Sequence, residues 1–340
     1  MTHRAVTSRA VSNWLFIVAG FVCLMILVGA ATRLTDSGLS ITEWKPISGA
    51  LPPLSEEAWE AELELYRSTT EYQVQNRGMS MDAFKMIFWW EWGHRQLGRT
   101  IGLIYAVPLA FFWLRGELSA SLKPRLLGLL VLGGLQGAIG WWMVASGLVD
   151  RLDVSQYRLA THLGMAFVIL GASIWLALEA RYGPPAIRIG KLTGWALGLW
   201  GLVFFQIILG AFVAGLDAGM IYNTWPLMNG ELVPSDYLGG QGFIPAVFES
   251  HAAVQMNHRW TAYLLAIATG VFAFLIWREP RVVMKPFMLI LPALVLAQMA
   301  LGIATLLSVV PIGLALAHQA GAVLLFSACA VAAWTARRSV

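Results

Sequence analysis

The 340 residues are 58% hydrophobic and 12% charged, about half the charged share of a soluble globular domain. The apolar residues fall in blocks of roughly 20, the length that spans a bilayer core, which excludes a soluble enzyme. The net charge of +4 would suit nucleic acid, but the placement of the charges follows membrane topology instead, and no nucleic-acid partner is expected.

The blocks run, in chain order, over 13–31, 92–114, 126–146, 159–179, 192–213, 255–277, 287–308 and 313–335. Backbone groups in lipid need internal partners, so each block is predicted to be a helix. The alternating pattern of a membrane barrel is absent. With the N-terminus inside (Arg4, Arg9), the inner segments hold Arg115, Lys123 and Arg125, then Arg181, Arg188 and Lys191, then Arg278, Arg281 and Lys285, and finally Arg337 and Arg338. The segment 214–256 has no Lys or Arg, so it is placed outside. The fold class read from this pattern is an all-α membrane protein of eight transmembrane helices in two tandem four-helix bundles, with both termini cytoplasmic. The first block lacks a small-residue cleavage site and reads as a helix that stays, and no transit-like segment is visible, which favours a bacterial inner membrane over a processed organellar chain.

Two outer loops are long, about 32–90 and about 214–254. In the first, Ser55 reads as an N-cap with Glu56 and Glu57 in the following turn. Trp59, Leu63 and Tyr66 form an apolar stripe, predicting an amphipathic helix at the outer membrane interface. The stretch 84–92 is rich in Phe and Trp, as interfaces are.

A repeat divides the chain into halves 1–185 and 186–340. Val28-Gly29-Ala30, Asp36, Gly38 and Trp44 recur as Leu209-Gly210-Ala211, Asp217, Gly219 and Trp225 at one fixed offset. Gln136 and Gly140 are matched by Gln298 and Gly302, His94-Arg95 by His258-Arg259, and Thr161-His162 by Ala317-His318. Four helices per unit give both halves the same orientation, as parallel repeats.

Of six histidines, His3 lies in the polar N-terminal tail and His251 in the second outer loop, with no partner in the other half. The other four, His94, His162, His258 and His318, are expected within about a turn of the outer ends of the even-numbered blocks. Intramembrane imidazoles bind Zn, Cu, Fe or haem iron. Zinc sites usually add Cys or carboxylate, and the second half offers no carboxylate beside its pair. Haem needs axial ligands on two opposite helices and room for a flat ring. Gly98 and Gly102, Ala262 and Ala266, Ala166, and Ala322 lie one or two turns below the histidines. All four ligands lie near one face, which suits chemistry on that side better than electron transport across the bilayer.

The halves differ beside the first histidine. Glu91 stands three residues before His94, and Gln255 three before His258. A carboxylate there can serve as a proton acceptor, so one half reads as catalytic and the other as holding a cofactor. Arg95 and Arg259 are read either as contacts for haem propionates or as side chains that snorkel to lipid headgroups. Cys23 and Cys329, both inside predicted helices, are read as small buried apolar residues.

Glu91-Trp92-Gly93-His94-Arg95, Thr161-His162-Leu163-Gly164, Asn257-His258-Arg259-Trp260 and Ala317-His318-Gln319 resemble the haem A synthase family. So do residues 35–44 and 218–226, and the resemblance covers nearly the whole chain. It implies oxidation of a methyl group of haem O to a formyl group, with water supplying oxygen, for aa3-type cytochrome oxidase. It further implies haem B on His258 and His318, substrate haem O on His94 and His162, and Glu91 as the catalytic carboxylate. Active sites toward the periplasmic face, a haem O synthase partner and an electron acceptor complete the expectation. The cysteine pair that some members carry in the first outer loop is absent, as in the proteobacterial and mitochondrial branch. Two rival readings are a di-haem b-type electron carrier and a haem transporter or chaperone.

Overall fold

A computed structural model describes residues 8–148, 151–185 and 190–338. His3, Arg4 and Arg188 lie outside the described residues. Eight described helices are long and apolar enough to cross a membrane: α1 (Arg9–Leu34), α4 (Met81–Leu114), α5 (Leu122–Val144), α6 (Gln156–Tyr182), α7 (Lys191–Gly215), α9 (His251–Arg278), α10 (Phe287–Leu307) and α11 (Ile312–Arg338). Three short helices, α2 (Glu56–Arg67), α3 (Thr70–Val74) and α8 (Phe243–Glu249), lie in the two long loops. The chain is thus a multi-pass helical membrane protein.

The helices close into two rings. In the first, α1 packs on α4, α4 on α5, α5 on α6 and α6 back on α1. In the second, α7, α9, α10 and α11 close in the same order. Between the rings α6 meets α7, α1 meets α11, and α6 meets α11, the pattern that a two-fold relation between them would give.

Small residues allow the close approach across this seam. A side chain at Gly171 of α6 would run into the Trp200 indole of α7, and the Phe326 ring of α11 fills the remaining space. Phe167 meets Phe326 edge-on at 5.1 Å between centroids, a favourable arrangement for aromatic pairs.

The two ends of the bundle differ. At one end lie the first and last described residues: the Ser8 amide donates to the Ala180 carbonyl, and Thr193 donates to the Ala336 carbonyl. Arg125 of α5 grips Glu179 of α6 there through two contacts of 2.6 Å. At the opposite end, Arg33 after the core of α1 bonds Asp217 beyond α7 at 3.1 Å and reaches Asp153 before α6. Asp36 and Asp217, the repeated aspartates, both adopt left-handed backbone, with φ of 47° and 50°. Asp is among the few side chains that tolerate it.

Ser55 caps α2 as its sequence indicates, accepting from the Ala58 amide at 3.2 Å. Trp59, Leu63 and Tyr66 face protein rather than lipid, in a cluster with Ile41, Tyr72, Phe84 and Phe88. The partner face comes from α4. Residues 84–92 are helical, not loop, so α4 begins at Met81 and carries its aromatic stretch beyond the apolar block. Trp59 packs edge-on against Phe88 at 4.9 Å, and Tyr66 stacks on Phe84 at 5.4 Å. The amphipathic helix therefore docks on an extended helix, which offers its apolar stripe a dry surface. His251 likewise leaves the loop: it is the exposed first residue of α9, after the Ser250 cap.

Candidate functional site

His94, His162, His258 and His318 lie on α4, α6, α9 and α11, all at the end opposite the first and last described residues. They are deeper than the sequence blocks indicate. His162 and His318 each follow the start of their helix by six residues, and His258 by seven, about 10 Å at 1.5 Å per residue. His94 follows Met81 by thirteen because α4 is extended.

Each imidazole rests on a glycine of the neighbouring helix in its own ring. A Cβ at Gly29 would lie 3.1 Å from His94 Nε2, and one at Gly210 3.1 Å from His258 Cε1. At Gly140 and Gly302 it would lie 2.8 Å from Cε1 of His162 and His318. Any larger residue would push the ring away, so the bare backbone sets where each imidazole stands. These four glycines belong to the repeated segments of α1, α5, α7 and α10, and the repeat is the only sign of their role in the sequence. His94 and His162 stand on helices of the first ring, and His258 and His318 on helices of the second.

Amides hold three of the four histidine carbonyls. Gln136 donates to the His162 carbonyl at 3.1 Å, Gln298 to that of His318 at 2.8 Å and Gln206 to that of His258 at 3.0 Å. Nδ1 of His162 and of His318 is buried without a partner.

This donor set fits haem. A pair of half-buried imidazoles in each ring can supply axial ligands. No group of three or more His, Cys, Asp and Glu that could hold a bare metal ion occurs among the described residues. The small residues below the histidines divide. Gly102 faces open space, while Gly98 faces the Met25 methyl, 3.1 Å from where its Cβ would stand. Ala166, Ala266 and Ala322 belong to the main apolar core or pack against it.

Above the first ring, Glu91 is 2% exposed and held on all sides. Its Oε2 accepts from the Ser40 hydroxyl and the Ile41 amide, each at 2.8 Å. Its Oε1 accepts from Arg95, at 2.7 Å from Nη2 and 3.1 Å from Nε. Arg95 also donates to the carbonyls of Ile41 and Glu43. The second ring repeats the clamp: Arg259 donates to the carbonyls of Tyr222 and Thr224 and to the Gln255 side chain, all at 2.8 Å. Ile41 and Glu43 match Tyr222 and Thr224 at the repeat offset. Where Glu91 accepts a loop amide, Gln255 donates to the Ala218 carbonyl at 2.7 Å. Both arginines thus brace the outer loops, a role that sequence reasoning missed.

A second carboxylate near this site lies in α3. Glu71 is 3% exposed, and its Oε2 has no partner. Burial, then the like charge of Asp36, pushes its carboxyl up to about 8, against the Tyr66 hydroxyl that favours the charged form; Glu91 and Asp153 add to the rise. Of the cysteines, Cys329 is buried and Cys23 is half-buried against the same core.

Fold and site define a class: a multi-pass membrane protein with one pair of half-buried histidines in each of its two four-helix rings. The family model for the COX15–CtaA cytochrome oxidase assembly proteins matches residues 12–330. The haem A synthase of Maricaulis maris is 71% identical over 99% of both chains. Those of Caulobacter vibrioides and Parvibaculum lavamentivorans are each 50% identical, over 98% and 97% of this chain and 98% and 94% of their own. The chain belongs to the COX15–CtaA family, the family of the haem A synthases, and is a haem-binding membrane oxidoreductase.

Proposed function

We propose that the chain oxidises the methyl group of haem O to the formyl group of haem A, with water as the oxygen source, and so supplies aa3-type cytochrome oxidase. The histidine-on-glycine cradle, built twice with a carboxylate beside only one copy, carries this reading. In it the N-terminal half, 1–185, takes substrate haem O between His94 and His162. The C-terminal half, 186–340, keeps haem B between His258 and His318. Bound haem B supplies one-electron redox chemistry at the second site.

Replacing a methyl by a formyl group with oxygen from water releases four electrons and four protons. Glu91 would orient the water or accept a proton, giving up one of the four donors that now hold its oxygens. It is buried one turn from His94, and its two oxygens are aimed by Ser40, Ile41 and Arg95. Gln255 cannot take up a proton in that way, which leaves the second ring to hold a cofactor. Arg95 and Arg259 hold the outer loops over the sites; contacts with haem propionates would be made in exchange for loop carbonyls. The electrons leave through an acceptor outside this chain, and a haem O synthase would deliver the apolar substrate directly.

The distribution of basic residues supports termini in the cytoplasm and the histidine end at the periplasmic face of a bacterial inner membrane. Expression in a host that makes haem O but no haem A tests the activity. Extracted pigment should gain haem A or a hydroxylated haem O; haem O left unchanged beside folded protein would refute it.

A further inference from the structure

The two rings differ at a second position, on the helix that carries the cradle glycine. One turn before Gly210 of α7 stands Gln206; one turn before Gly29 of α1, at the same repeat offset, stands Met25. Gln206 donates to the His258 carbonyl at 3.0 Å, and its amide nitrogen lies 3.1 Å from His258 Nδ1. It is the one amide of the three that also reaches its imidazole ring.

Met25 does neither. Its methyl turns down onto Gly98, one turn below His94. The corresponding position after His258 is Ala262. Gly98 therefore admits the thioether, and no side chain among the described residues hydrogen-bonds to His94. The opposite ligands do not share this difference, because Gln136 and Gln298 hold His162 and His318 alike.

A histidine that ligates a metal through one ring nitrogen presents its other N–H to a partner, which fixes the ring orientation and raises its basicity. Gln206 can serve as that partner to Nδ1: a half-turn of the amide, with the side chain shifting off the His258 carbonyl whose bond it gives up, brings the buried, unpartnered Oε1 to the N–H. A thioether is at best a weak acceptor, and Met25 points elsewhere.

We propose that this pair of residues decides which site keeps its haem and which exchanges it. Gln206 locks His258 as a permanent ligand, and Met25 leaves His94 free to take up and release a porphyrin at each turnover. The inference rests on the haem-ligand assignment above, and makes Gln206 and Met25 positioning residues.

The test is haem release from purified, haem-loaded full-length protein to excess apomyoglobin, with a redox titration of the same samples. The wild type should release haem in two phases, fast and slow. Gln206→Met should speed the slow phase by roughly 10–100-fold, the usual cost of removing such a partner, and raise the midpoint potential of one haem. Met25→Gln should slow the fast phase, an effect that misfolding cannot produce. Equal release rates from both sites of the wild type would overturn this inference together with the division into substrate and cofactor sites. Two wild-type phases that neither variant moves would overturn the inference alone.

Discussion

The two rings present their histidines in the same way, each imidazole on a neighbouring glycine and each outer loop clamped by an arginine at matching carbonyls. They part at Glu91 against Gln255 and at Met25 against Gln206. The shared features are geometric and come from backbone and small residues, so a duplicated scaffold retains them. The differences are single side chains touching or flanking a ligand. On the proposed reading, such an arrangement would let one scaffold serve as both reaction site and cofactor site.

The largest expected effects come from the histidines. His258→Ala or His318→Ala should remove the firmly bound haem, read as loss of the haem b absorbance from purified protein. His94→Ala should leave that haem in place and abolish conversion of haem O. Equal haem loss from both kinds of variant would erase the distinction between the rings.

Glu91→Gln should lower turnover by about 100-fold, the low end for losing a general acid or base, with haem content unchanged. Turnover at the wild-type rate would confine Glu91 to bracing the loop. The cradles give a graded series. Gly140→Ala and Gly302→Ala meet the imidazole at 2.8 Å and should displace it, broadening the haem spectrum and reducing occupancy. Gly29→Ala, at 3.1 Å, should do so less.

The smallest effect concerns the first outer loop. Glu71, lifted to about 8 in the folded protein, binds its proton more tightly there than in the unfolded chain. Its burial costs nothing below the ordinary carboxylate range. The cost grows as pH rises, by at most about 1.4 kcal/mol per unit, and is complete above about 8. Glu71→Gln should therefore make the loop more resistant to limited proteolysis at about pH 9 and leave it unchanged near pH 4. An equal gain at both would assign the effect to packing.

Hydropathy alone located the eight spans, because lipid forces every backbone group into a helix and leaves the apolar block as its mark. It missed the beginning of α4, since residues 84–91 hold a Lys and lie outside the apolar block while burying Phe84 and Phe88 under α2. That misplacement also made His94 look shallower than it is. The four histidines and Glu91 stood out through repetition and its one break. The cradle glycines, Gln206 and the loop clamps did not, because their roles depend on which helix face meets which, and that is set by tertiary packing.

The division of labour between the rings is tested most directly by the haem composition of purified protein from cells that make haem O, for the wild type and for His94→Ala and His258→Ala. Extraction followed by chromatography with mass detection would identify each porphyrin. The account predicts haem B together with haem A or a hydroxylated haem O in the wild type, haem B alone in His94→Ala, and loss of haem B in His258→Ala. Haem B as the sole pigment of the wild type, despite available haem O, would contradict it and favour an electron carrier with two resident haems.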